Sequence, residues 1–180
     1  MIAVLMLGAT ACSSSSPDER GFPPGLPDRI FPFTAEGRSL SLTVYDVRIK
    51  EQAYYRDTNG TTYVVKPSAL EGKIVSVLMQ VRNANAGKTL IDINEEAFSL
   101  RDLNDKEYKP INPFANPVLA PNVPKNDPPL DVMWGPNEFP QGYGIIAWAM
   151  FDMPKDTVPM EIRWGAVDII FARFQDKPKA

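Results

Sequence analysis

Gly72-Lys-Ile-Val-Ser-Val-Leu-Met-Gln-Val-Arg-Asn83 is the stretch that decides the fold of this chain. Ile74 and Leu78 fall on one face of an extended backbone, and Val77 and Val81 fall on the other. Because side chains alternate across a strand, this pattern predicts a β-strand that is apolar on both faces. A strand of that kind is predicted to lie in the middle of its sheet.

The residues before this stretch predict further strands. Residues 40–49 alternate between apolar and polar side chains, with a phase slip at Tyr45-Asp46 that predicts a β-bulge. Residues 53–56 and 61–65 flank Asn59-Gly60, a dipeptide typical of tight hairpin turns. A β-hairpin is therefore expected directly before the central strand.

The residues after it continue the same pattern. Residues 97–103 alternate and turn at Asn104-Asp105, and residues 143–151 and 160–174 predict two more strands. No long segment has the 3.6-residue period of a helix, so the sequence predicts an all-β, antiparallel β-sandwich. The expected core includes Ile74, Leu78, Val81, Phe98, Leu100, Ile146, Trp148, Phe151 and Ile162.

Residues 110–140 form a long proline-rich loop in this prediction. The segment holds nine of the 18 prolines of the chain, a density at which no regular element is expected. A loop of this length within a compact domain is often functional. The alternative is a crossover that wraps onto the sheet through Phe114, Val118, Leu119 and Val123.

The N-terminus predicts export. The apolar run 1–11 ends in small residues before Cys12, which indicates a lipoprotein signal peptide, cleaved once Cys12 carries a lipid. Residues 12–32 then form a tether rich in serine and proline, and 33–176 form the sandwich. This interpretation places the domain outside the cytoplasm, anchored to the cell membrane or the outer membrane. The alternative is a buried N-terminal element that ends in an ordinary free cysteine.

The tether is expected to be extended, because repeated proline disfavours helix. Residues 30–33 are expected to pack onto the domain as a strap, whereas residues before Gly21 are not.

Composition excludes several chemistries. The chain has no histidine, one cysteine and a formal net charge of -3 with acids and bases interspersed. These numbers rule out a Ser-His-Asp site, a histidine-ligated metal, an internal disulfide and a basic surface for nucleic acid. We therefore expect no enzyme activity, no cofactor, no metal and no nucleic-acid partner.

Two sets of carboxylates keep other possibilities open. Acidic residues in two loops could supply the oxygen ligands of calcium. They are Asp92, Glu95, Glu96, Asp102, Asp105 and Glu107. The simpler interpretation is that they are solvated surface charges. Paired carboxylates for glycoside hydrolysis would have to come from Asp46, Asp131 and Asp152, whose separation nothing in the sequence fixes.

Several of these segments resemble one family. Residues 72–83, residues 97–103 with Lys106-Glu-Tyr108, and residues 139–142 leading into 146–154 carry the resemblance. The chain resembles the immunoglobulin-like domain-of-unknown-function family of prokaryotic envelope lipoproteins. That resemblance implies a secreted immunoglobulin-like sandwich with which no catalytic residues are associated.

Aromatic residues are the best candidates for a site. Trp134 is expected to be exposed near the end of the proline-rich loop, with Phe114, Phe139 and Tyr143 beside it, while Trp148 is more consistent with core packing. Exposed aromatic side chains favour recognition of proteins or sugars. The expected function is a non-catalytic accessory lipoprotein that binds a protein partner in the envelope. The alternative is a carbohydrate-binding or small-ligand-binding module.

Overall fold

The computed structural model describes residues 19–23 and 29–176, and within these ranges the chain is all-β and has no helix. The predicted signal peptide 1–11 and Cys12 lie outside the described residues. The strands are β1 (Arg29–Ile30), β2 (Phe33–Glu36), β3 (Leu40–Lys50), β4 (Ala53–Arg56), β5 (Thr62–Val65), β6 (Gly72–Asn83), β7 (Lys88–Ile93), β8 (Phe98–Asp102), β9 (Glu107–Tyr108), β10 (Val118–Leu119), β11 (Leu130–Asp131), β12 (Gly135–Pro140), β13 (Gly144–Pro154), β14 (Pro159–Trp164), β15 (Ile170–Arg173) and β16 (Gln175–Asp176).

The central sheet has the order β13-β6-β3-β2 and is antiparallel throughout. As predicted, β6 lies inside it, flanked by β3 and β13. The register between β3 and β6 shifts between Val44 and Asp46, which confirms the bulge that the phase slip predicted.

The main core fills the inner face of this sheet. A second sheet of order β15-β14-β8-β9 and the pair β12-β7 supply the opposing side chains. The Phe98 ring stacks on Trp164 at 5.4 Å between centroids and meets Phe151 edge-on at 5.9 Å. These sheets pack face to face as a β-sandwich, the fold class that the sequence predicted.

A smaller third layer covers part of the outer face. Its sheet has the order β10-β5-β4-β11, antiparallel except for the parallel pair β11 and β4. The β4–β5 hairpin turns at Gly60, whose φ of 85° is readily adopted only by glycine, as the Asn59-Gly60 pair predicted. Between this layer and the central sheet lies a second apolar cluster, formed by Ala53, Tyr55, Ile74, Leu130, Trp148 and Met150.

The expectation that no regular element forms within residues 110–140 is wrong. The segment contains β10, β11 and β12, and β12 pairs with β7 over six residues. Pro136 and Pro140 are tolerated because β12 pairs on one side only, so it is an edge strand, where a missing N–H breaks no second ladder. The segment is largely a structural cover, and its backbone also bonds to β13, with the Met133 N–H donating to the Trp148 carbonyl at 3.0 Å.

The predicted single strand over residues 160–174 is two strands. β14 ends at Trp164 and β15 begins at Ile170. The loop between them is held by Asp168, whose Oδ2 accepts the backbone N–H groups of Ser39 (2.5 Å) and Leu40 (2.7 Å). Val167 adopts a φ of 70° in this loop, an uncommon conformation for a β-branched residue.

The predicted core is correct except at two positions. Ile146 is 53% exposed and Leu78 is only half-buried, whereas the other seven residues are buried. Both side chains point to the outer face of the central sheet, which the third layer covers only in part.

The packed part of the N-terminal segment starts earlier than predicted. Phe22 is 3% exposed in the main core, and the Arg20 carbonyl accepts the N–H of Ile49 at 2.7 Å. Arg20 also forms an ion pair with Asp46 at 3.1 Å. The expectation that residues before Gly21 stay off the domain is therefore wrong for Arg20, and the domain begins before residue 33.

Candidate functional site

The four aromatic residues proposed from the sequence do not form one surface. Phe139 is 5% exposed and belongs to the main core, because its side chain alternates inward on β12. Trp134 is half-buried and lies beside Trp148 in a packed seam that holds no water-sized space. Tyr143, at 69% exposure, occupies the turn that joins β12 to β13. Trp148 packs in the second cluster, as expected.

Phe114 is the member of the set that lies on an exposed apolar surface. It is 45% exposed, and in the same proline-rich segment Val118 and Leu119 are 58% and 65% exposed. We call these three residues the outer patch. The sequence analysis proposed Phe114 as a site residue and considered Val118 and Leu119 only as side chains that pack onto the sheet. A strand of two residues is too short for alternation to show which side chain is exposed.

The outer patch stands on a rigid base. The Phe114 ring packs edge-on against Tyr55 at 6.3 Å, and Tyr55 stacks on Tyr63 at 5.3 Å. The Tyr55 hydroxyl donates a hydrogen bond to the carbonyl of Pro113. Burial, together with Tyr63 and Asp57, raises the pKa of Tyr55 to about 12, so it is a protonated donor at neutral pH.

β10 joins the outer patch to the third layer through one neighbour only. Val118 pairs with Val64 and Leu119 pairs with Tyr63, and β10 is the last strand of its sheet. The other edge of β10 is therefore without a strand partner among the described residues. An exposed apolar edge of this kind can accept an extended segment of another chain.

A cleft of about 300 Å³ lies beside the outer patch. Val118, Asn116, Tyr55 and Val65 are among the residues that line it. The Asn112 side-chain oxygen accepts the N–H of Phe114 at 3.0 Å, which fixes the turn that carries the ring. The cleft therefore offers the amides of Asn112 and Asn116, the Lys66 side chain and apolar side chains, and no carboxylate lines it.

A larger groove of about 780 Å³ opens at the end of the sandwich where β3 finishes and β6 begins. We call it the end groove; its lining includes Gly21, Pro23, Ile49, Lys50, Glu51, Lys66, Pro67, Leu70, Glu71, Lys73 and Lys155. Lys73 is 6% exposed, and its Nζ donates to the carbonyls of Lys155 (2.9 Å) and Thr157. Burial lowers the pKa of Lys73, and these two carbonyls fix its ammonium group in the wall.

The loop carboxylates are occupied by structural contacts. Asp102 is 3% exposed and accepts the N–H groups of Asn104 (2.8 Å) and Lys106 (3.0 Å) and the hydroxyl of Tyr108 (3.0 Å). Asp105 pairs with Arg101 at 3.0 Å. Within residues 19–23 and 29–176 no group of three or more acidic, histidine or cysteine side chains is arranged to hold a metal ion.

The carboxylates considered for glycoside hydrolysis are also engaged separately. Asp46 pairs with Arg20 and Arg48 at 3.1 and 3.2 Å, whereas Asp152 accepts the N–H of Ser68 at 2.8 Å. Asp131 lies on β11, in another sheet. The three side chains therefore stand in separate surroundings rather than facing one another across a single cleft.

Comparison with known proteins adds no relative: no protein-family model, no curated protein and no solved structure matches this chain. The part of the chain that the structure describes also contains no helix of the length and apolarity needed to cross a membrane. The fold and the candidate site together define a class of protein: an all-β sandwich with a third layer that presents the outer patch at a sheet edge.

Proposed function

We propose that this protein is a non-catalytic accessory lipoprotein of the cell envelope, anchored through a lipid on Cys12, that docks a protein partner on the outer patch. The apolar run 1–11 before Cys12 supports the anchor, and so does the resemblance to immunoglobulin-like envelope lipoproteins. The observation that carries the docking role is the exposure of Val118 and Leu119 on a sheet edge, with Phe114 exposed in the preceding turn against Tyr55.

Physical chemistry favours a protein as the occupant of the outer patch. Exposed apolar side chains at an unpaired sheet edge offer a surface to which another protein chain can bind. Here the Tyr55–Pro113 hydrogen bond and the neighbouring prolines limit the motion of the patch before binding. A surface ordered in advance loses less conformational entropy when it binds.

Affinity capture from detergent-solubilised membranes tests the proposal. Val118→Asp with Leu119→Asp places two charges on the outer patch and is expected to abolish capture of the partner that the wild-type protein retains. Leu90→Asp is the matched control, because Leu90 is 68% exposed on β7, in a different sheet. Capture that survives the double substitution would locate the interface elsewhere.

Cys12→Ser tests the anchor independently. It removes the thiol that would receive the lipid, so the protein is expected to leave the membrane fraction while its partner contact in solution persists. Unchanged membrane association of this variant would refute the anchor without affecting the docking surface.

The cleft beside the outer patch supports a second candidate, the binding of a carbohydrate or another small ligand. Its volume of about 300 Å³ is at the lower limit for a small-molecule site, and Asn116 supplies a donor and an acceptor. Asn116→Ala is expected to abolish binding of envelope-derived oligosaccharides, measured by chemical-shift titration, and to leave protein capture unchanged. Loss of protein capture in this variant would instead assign Asn116 to the docking interface.

A further inference from the structure

The loop of residues 66–71 presents an apolar side chain to solvent without a packing role. Leu70 is fully exposed at the rim of the end groove. The loop around it is fixed, because the Gly72 N–H donates to the Ala69 carbonyl at 3.1 Å and the Lys155 N–H donates to the Glu71 carbonyl at 3.0 Å. Single exposed leucines are common on protein surfaces, so the meaning of this one depends on where its loop lies in the molecule.

This loop lies at the end of the domain where the chain from Cys12 arrives. Gly21 and Ile49 line the end groove together with Leu70, and the Arg20 carbonyl is bonded to Ile49. Arg20 is eight positions after Cys12, and covalent geometry limits the distance between them to at most about 29 Å. A lipid on Cys12 therefore keeps this end within one short tether of the bilayer.

The opposite end of the sandwich lies at the other end of β3. β3 runs from Leu40 to Lys50, and its length is roughly 30 Å at about 3.3 Å per residue. Asp168 bonds to Leu40 at the far end, so the β14–β15 loop with Val167 and Ile169 lies there. The two ends of the sandwich therefore lie about the length of β3 apart, and the chain from Cys12 joins the end that carries Leu70.

The charges around Leu70 fit the headgroup region of a bilayer. Lys66 and Lys155 line the end groove with exposed side chains, and neither forms an ion pair within the described part of the chain. Lys50 pairs with Asp127, and the Lys73 ammonium is held by carbonyls. Glu51 and Glu71, also in the groove lining, balance Lys66 and Lys155 in formal charge, so the apolar tip rather than net charge dominates the contact.

We propose that residues 66–71 are a membrane-contact loop, in which Leu70 enters the interface of a phospholipid bilayer while Lys66 and Lys155 meet lipid phosphates. This inference rests on the proposed lipid anchor, since the tether supplies the high local concentration that a single leucine needs. Interfacial side chains of this kind penetrate the boundary between headgroups and acyl chains. The contact would fix the orientation of the sandwich, with the β14–β15 loop facing away from the membrane.

A single label can test the contact because the chain has no cysteine besides Cys12, which the lipid would block. Ser68→Cys places a fluorophore in the loop and keeps Leu70, and Ile169→Cys places it at the far end, where Ile169 is 67% exposed. The acylated full chain is reconstituted into vesicles of phosphatidylcholine and phosphatidylglycerol that carry a doxyl-lipid quencher. Quenching is expected to be several-fold stronger at residue 68 than at residue 169.

Two variants of the labelled protein separate the contributions. Leu70→Asp is expected to reduce quenching at residue 68 to the level at residue 169. Lys66→Glu with Lys155→Glu is expected to weaken the contact mainly in vesicles with phosphatidylglycerol, by at least about fivefold for each lysine. Quenching that is unaffected by Leu70→Asp would overturn the assignment of Leu70.

The outcomes distinguish this inference from the anchor. Equal and weak quenching at both positions, on protein that remains vesicle-bound and is acylated by mass spectrometry, overturns the membrane-contact loop and leaves the anchor intact. It would also leave the end groove to a protein partner. A wild-type mass without an acyl group refutes the anchor, and the inference falls with it.

Discussion

The two faces of the central sheet are covered in different ways. The difference explains which parts of the protein stabilise the fold and which present exposed side chains. Among the described residues, the main core on the inner face gathers 26 buried apolar side chains, whereas the cluster on the outer face gathers six. The inner cover consists of the β15-β14-β8-β9 sheet and the β12-β7 pair. The outer cover combines the β4–β5 hairpin with a proline-rich segment, and it ends before Ile146.

Stability should therefore respond most strongly to cavities in the main core. Phe151 is completely buried and contacts Phe98 edge-on. Phe151→Ala is expected to lower the free energy of unfolding by about 3–5 kcal/mol, measured by urea denaturation. Phe171→Ala, at a 49% exposed position on β15, is the control and should cost below about 1 kcal/mol. Equal losses would mean that the inner face is not the main source of stability.

Weakening the third layer should unfold that layer locally and leave the main sandwich folded. Tyr55→Phe removes the donor to the buried carbonyl of Pro113, and leaving that acceptor unpaired is expected to cost about 1–3 kcal/mol. Limited proteolysis within residues 112–129 should accelerate more than cleavage in the main sandwich. Tyr143→Phe, in an exposed turn, should change neither measurement. Uniform acceleration of cleavage throughout the chain would show that the two layers unfold together.

Alkaline pH should remove the same hydrogen bond. The folded state raises the pKa of Tyr55 from 10.0 to about 12, so its contribution to stability is fully present below pH 10 and is lost as the pH rises to 12. Burial and Asp102 also raise the pKa of Tyr108 to about 12, but Tyr108 is present in both the wild type and Tyr55→Phe, so its effect cancels in the comparison. Between pH 10 and 12 the wild type should lose stability more steeply than the variant, and parallel urea-denaturation curves would contradict this assignment.

The contrast between the two faces also separates what the sequence predicts from what it hides. Alternation along β6 and β13 predicted strands whose inward residues, such as Val81 and Phe151, are buried. It could not predict that Ile146 is exposed, because a strand pattern identifies which residues share a face and not how far the next layer extends over that face. The expected core position of Ile146 failed for this reason.

The site was less predictable than the fold. Proline density concealed β12, since proline is compatible with a strand only at a sheet edge, and the edge position follows from tertiary pairing that no local pattern records. The aromatic residues of the proline-rich segment drew attention to Phe114, which is exposed. The same interpretation placed Phe139 on the same surface, although the alternation within β12 turns that ring into the main core.

A series of substitutions along the outer face should map the edge of the third layer. Ile74 is completely buried, Leu78 is half-buried and Ile146 is 53% exposed. Replacement by alanine is expected to cost about 2–5 kcal/mol at Ile74, about 1–2 kcal/mol at Leu78 and below about 0.5 kcal/mol at Ile146. Urea denaturation measures all three, and a loss at Ile146 as large as that at Ile74 would show that the layer extends further.

The smallest effect is expected where the third layer meets solvent. The Arg48 guanidinium lies over the Trp148 ring at 4.5 Å, and its Nε pairs with Asp46 at 3.2 Å. Because the Arg48 side chain is 38% exposed, solvent screens the ion pair and the contact with the ring should dominate. Arg48→Ala is expected to cost about 0.5–1 kcal/mol by urea denaturation, and Arg56→Ala, at an exposed position on β4, should cost less.

A double-mutant cycle with Trp148→Phe decides whether the ring is responsible. If the cation acts through the indole, the cost of Arg48→Ala should fall when phenylalanine replaces the tryptophan, because the weaker quadrupole of phenylalanine attracts the guanidinium less. If the cost is the same in both backgrounds, Arg48 acts through Asp46 alone. The edge of the outer layer is then stabilised by the Arg48–Asp46 ion pair, and the contact of the guanidinium with the Trp148 ring contributes nothing measurable.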